Sequence, residues 1–128
     1  MKKIFALLLF VGSICLAQNQ ELAAHFENYA KQTMKEIDGD VMKDLDIYAN
    51  LNLNPNTDLA MVKNVIVTLI NLDREDPSRT AVMILGPSYR KHTALYKEAF
   101  SALRNPKNKT QLEEIESLMK NFSRLGNG

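Results

Sequence analysis

One short stretch of the chain gathers residue types that could hold a ligand: Gly86-Pro87-Ser88-Tyr89-Arg90-Lys91-His92, with Tyr96 one turn further on. If a helix opens at Pro87, its first amides lack partners within the helix and favour an anion. Arg90 and Lys91 would then stand in the first turn, where the helix dipole disfavours cations. A bound phosphate, sulfate or carboxylate would relieve that conflict, as would an acidic surface on a partner. A helix running on from Ala81 through a kink at Gly86 would remove the conflict altogether. Tyr89, His92 and Tyr96 follow one another at steps of three and four, so they share a helical face. Rings with a polar tip suit an interface, although a histidine in such a place is commonly half-buried and hydrogen-bonded. Tyr89, Arg90, Lys91, His92 and Tyr96 are therefore the candidate partner- or anion-binding residues.

Signatures of catalysis are missing from the sequence. Its two histidines, His25 and His92, are far apart, its single cysteine is Cys15, and no phosphate-cradling glycine loop or Gly-x-Ser-x-Gly elbow occurs. No catalytic residue, cofactor or metal is assigned. Asp38, Asp40, Asp44 and Asp46 form an acidic cluster, but the spacing departs from a calcium loop and the closing glutamate is absent. Asp40 and Asp44 would also repel across one helical turn. These acids are expected on the solvated face of the first helix.

The first seventeen residues have the three-part pattern of an export signal: Lys2 and Lys3, an apolar run from Ile4 through Val11 that resumes at Ile14, and small residues ending at Ala17. The run falls short of the ~20 apolar residues that cross a bilayer. Cleavage after Ala17 would leave residues 18–128 as a single domain in the periplasm or outside the cell. Ile14 before Cys15 and Gly12 at the leucine position depart from a lipid-anchor motif, so no lipid-anchored form is expected. Cys15 would leave with the leader, and stability would rest on apolar burial without disulfides. Of 16 Lys and Arg, loss of Lys2 and Lys3 leaves 14 against 15 Asp and Glu. That balance, without a basic block, argues against nucleic acid or an anionic membrane surface as partner.

The remaining chain reads as helices that must position any site. Ala23, Phe26, Ala30, Met34, Ile37, Val41, Leu45 and Tyr48 keep one helical phase across Gly39. This favours one long helix, bent at Gly39, about 38 Å from end to end, with a real break at Gly39 as the alternative. Asn50 to Asn56 is a loop, with Thr57 or Asp58 available to cap the next helix. Leu59 to Leu72 is apolar nearly all round, apart from a strip of Asn64, Thr68 and Asn71, and belongs at the centre. Asp76-Pro77 starts a further helix, which Gly86-Pro87 stops or kinks. Thr110 to Glu113 forms a capping box before Leu112, Ile115, Met119 and Phe122, and Gly126 is a fitting C-terminal cap. The methionines are expected to fill gaps in the core. The expected fold is an all-α bundle of four to five helices. The alternative is an α+β fold with a hairpin at about 64–85, since Val65 to Thr68 are β-branched.

Function is less legible than fold. The expectation is an exported, non-enzymatic bundle that binds another protein as an adaptor, inhibitor or immunity-type factor. The alternative is a carrier of a small apolar or amphipathic ligand, held between Leu59–Leu72 and its neighbours.

Overall fold

The structure is a computed structural model that describes residues 19–31, 40–72 and 77–125. The expected leader and the Gly126 cap lie outside these residues. Among the described residues there are six helical segments and no strand. They are α1 (residues 19–31), α2 (Asp40–Ala49), α3 (Leu59–Leu72), α4 (Pro77–Lys91), α5 (Thr93–Leu103) and α6 (Lys109–Leu125). The fold is an all-helical bundle with more segments than the four to five expected, and both α3 and α4 are helical where the hairpin alternative put strands.

The long first helix is not formed. Phe26 and Tyr48 meet edge to face, with ring centroids 5.7 Å apart. On one straight helix they would be about 33 Å apart. The two halves instead lie against one another, which buries the shared stripe from both sides. An apolar phase that continues across a break means only that both segments bury the same kind of face. Residues 32–39, including Gly39, lie outside the described residues.

α3 forms the centre of the bundle, packed on α4, α5 and α6. Met61, Val62, Val65, Ile66, Leu69 and Leu72 are buried, each contributing about 1.5–3 kcal/mol relative to exposure. Its polar strip ties neighbours to it. Asn71 donates its amide to the carbonyls of Tyr29 at 2.9 Å and Ala30 at 3.4 Å, which holds α1 on the core. The buried Thr68 hydroxyl donates to the Asn64 carbonyl, and Gln111 of α6 donates to the Ile70 carbonyl. Asp58 precedes α3 as expected of a cap. Its carbonyl accepts the Val62 N–H and its carboxylate accepts the Asn54 N–H at 2.6 Å, closing the asparagine-rich loop.

Gly86-Pro87 neither stops nor starts a helix. α4 runs through both residues, and α4 packs extensively on α6. A Cβ on Gly86 would stand 3.0 Å from the Phe122 backbone. The glycine therefore leaves room for the close approach of α6 at this crossing. Pro87 cannot donate to the Met83 carbonyl, and both residues are exposed. The chain breaks instead at His92, where the Thr93 hydroxyl donates to the carbonyls of Tyr89 and Arg90. α6 begins at Lys109, one residue before the expected cap, and the Asn108 carbonyl accepts the Leu112 N–H at 2.8 Å. Met61 and Met119 are buried as expected, but Met83 is 52% exposed.

Candidate functional site

The five residues singled out by sequence separate into three environments. Tyr89 and Tyr96 are buried, their rings tilted and 5.5 Å apart. The Tyr96 hydroxyl is 2.8 Å from both the Tyr48 hydroxyl and the Ser88 hydroxyl, so α2, α4 and α5 meet in a closed chain of three hydroxyls. Burial pushes the Tyr96 phenol up to about 12 and Tyr48 well above its ordinary value. Both stay protonated and hydrogen-bonded, which lets them sit in an apolar core. Arg90 and Lys91 are exposed in the last turn of α4, where the dipole favours cations. The electrostatic conflict that suggested an anion site is absent, because the helix continues through Pro87.

His92 is half-buried at the α4–α5 junction. Its Nε2 accepts the Leu53 N–H at 3.4 Å, pinning the loop before α3 to the end of α4. Burial, and then the charge of Lys91, hold its pKa below the ordinary imidazole value. The Leu51 carbonyl and Asp58 pull in the opposite direction. His92 thus acts as a latch in its neutral form.

A different cluster forms where α1 folds back on α2. Asp44 is only 8% exposed, although sequence placed it on a solvated face; Asp40 and Asp46 are exposed, and Asp38 lies outside the described residues. Its Oδ2 accepts from the Tyr29 hydroxyl at 2.5 Å and is 3.2 Å from His25 Nδ1. Two donors from α1 therefore compensate the desolvation of this carboxylate. In the tautomer whose Nδ1 donates to Asp44, the His25 Nε2 is left as an acceptor. That atom is 3.9 Å from the Glu21 carboxylate, and the His25 side chain is 43% exposed. Asn19, Glu21, Leu22, His25, Asp44, Ile47 and Leu51 together line a cleft of about 310 Å³. Ile47 stands on it with 47% of its surface exposed.

The sequence did carry a signal for this cluster. Val41, Asp44, Leu45 and Tyr48 fall at i, i+3, i+4 and i+7, so Asp44 occupies the apolar stripe of α2. A carboxylate there requires donors from another element. His25 and Tyr29 stand on either side of Phe26, one turn apart on α1, and supply them.

An aspartate that orients a histidine is half of a hydrolytic constellation, but the cleft lining contains no serine, threonine or cysteine to act as nucleophile. Among the described residues no three histidine, cysteine or carboxylate side chains converge as a metal site. A second depression of similar volume is lined by Tyr89, Lys97, Glu113, Glu116, Ser117 and Lys120. It carries charges of both signs and so sets up little net field. No described helix is long and apolar enough to cross a membrane. No protein-family model, curated protein or solved structure matches the chain.

Proposed function

We propose that the chain is an exported, non-enzymatic helical bundle that works by binding another protein, and that the partner docks at the α1–α2 cleft. The observation that carries this reading is the exposed Ile47 beside a carboxylate fixed by His25 and Tyr29. An apolar anchor next to oriented polar groups is the usual make-up of an interface centre. Export rests on the Lys2-Lys3 start and the apolar run that follows it.

Arg90 and Lys91 form the alternative surface. With Tyr89 and Tyr96 buried, that surface offers mainly charge, and exposed charge pairs contribute only about 0–1 kcal/mol each. The cleft adds apolar burial, which favours it. The carrier alternative draws on the same cleft, whose volume falls at the bottom of the ~300–1,000 Å³ range of small-molecule sites.

The test is affinity recovery from the native host envelope with wild-type protein, Ile47→Glu, Lys91→Glu and, as an exposed apolar control, Met83→Glu. Loss of the recovered partner with Ile47→Glu alone is the expected result. Equal recovery by wild type and Ile47→Glu would remove the cleft, and loss with Lys91→Glu would move the contact to the α4–α5 junction.

A further inference from the structure

We infer that the α1–α2 cleft receives one basic side chain, an arginine or lysine, presented by the partner protein. The inference rests on the docking reading above and names what docks. The lining supplies two carboxylates, Glu21 and Asp44, and no lysine or arginine. An acidic guest would meet like charge at close range. A wholly apolar guest would cover the Glu21 carboxylate without offering it a donor, which is costly for a buried polar group.

A basic side chain meets both halves of the cleft. Lysine and arginine lay their aliphatic stems along apolar surface and keep the charged head among polar groups. Leu22, Ile47 and Leu51 provide the apolar wall. The Glu21 side chain is 72% exposed beside the imidazole, so a cationic head can donate to its carboxylate. Asp44 lends its charge from behind while its own hydrogen bonds to Tyr29 and His25 stay intact. The volume of about 310 Å³ accommodates one long side chain.

The experiment is an amide-resolved NMR titration of the exported protein with N-acetylarginine amide, alongside the leucine and glutamate analogues. The arginine compound should move the amides of Glu21, Leu22, His25, Ile47 and Leu51 saturably. Glu21→Gln, a change at an exposed position, should weaken it by about three- to fivefold, as expected for loss of one exposed charge pair. Equal shifts from the leucine or glutamate compound would overturn the inference. So would an arginine titration that leaves these amides unmoved, or unchanged affinity in Glu21→Gln. If Ile47→Glu loses the envelope partner while the arginine compound shows no selectivity, docking at the cleft stands and the basic guest falls. If Ile47→Glu keeps the partner, the docking reading itself fails.

Discussion

Two clusters in this bundle join tyrosine hydroxyls to other polar groups, and they differ in what they exclude. Tyr48, Tyr96 and Ser88 are sealed in the core, where each hydroxyl is satisfied by another and burial holds the phenols protonated. Tyr29, Asp44 and His25 sit at the edge, with the carboxylate buried and the imidazole 43% exposed. The first cluster bonds its hydroxyls to one another inside the core, where a ligand does not reach them. The second keeps an imidazole nitrogen and a neighbouring glutamate facing a cleft. Polar residues within one small fold can therefore be structural or available for recognition, and the distinction lies in which donors and acceptors remain uncommitted.

The largest test of that contrast is Tyr96→Ala. It removes a buried ring and two hydrogen bonds, and it should cost about 3–5 kcal/mol in urea denaturation. At urea-free conditions where the variant remains folded, recovery of the partner should be unaffected. A smaller loss is expected for Gly86→Ala. The added methyl meets the Phe122 backbone at 3.0 Å, and overpacking of about 1–3 kcal/mol outweighs the gain of up to about 1 kcal/mol in helix propensity. The measurement is the same denaturation midpoint, and no loss would mean that α4 and α6 can give by a few tenths of an ångström at this crossing.

At the rim the expectation reverses. Asp44→Asn keeps the shape and an acceptor while removing the charge. It should cost about 1 kcal/mol of stability, yet weaken partner recovery more than Tyr96→Ala does. Equal or smaller loss of binding would make Asp44 a purely structural carboxylate. The smallest effect is a pH slope from His92. Its folded pKa is lowered, so the unfolded chain takes up a proton first. The contribution to stability is level above about pH 6.5 and falls as pH drops through that value, until native His92 is itself protonated. Protonation also removes the acceptor for the Leu53 N–H. Urea midpoints at pH 7.5 and 5 should differ less in His92→Gln than in wild type.

The elements that sequence rendered well are those whose face is set by local periodicity. α3, with its apolar circumference, and α6, with Leu112, Ile115 and Met119 on one side, were both legible. The helix-or-hairpin choice for Val65 to Thr68 also resolved as the central-helix reading required. Features set by distant partners were harder to read. Gly86-Pro87 looks like punctuation until the Phe122 backbone is found against it. The stripe from Ala23 to Tyr48 reads as one helix because folding back preserves the phase. Asp44 reads as solvated unless its place between Val41 and Tyr48 is weighed above its membership of an acidic run. Tyr89 and Tyr96 read as one helical face, but the break at His92 puts them on separate helices, α4 and α5, that bring their rings together in the core.

The cleft exists because α1 lies against α2, so the separation of these segments is the most direct measurement. Cys15 is the only cysteine in the sequence, so with Cys15→Ser paired spin labels can be introduced through cysteines at the exposed positions Ala24 and Lys43. Packed helices have axes about 8–10 Å apart, and the labels should report a distance well below 28 Å. A single straight helix would place the two positions about 28 Å apart. A distribution centred there would contradict the folded-back pair, and with it the cleft and the guest assigned to it.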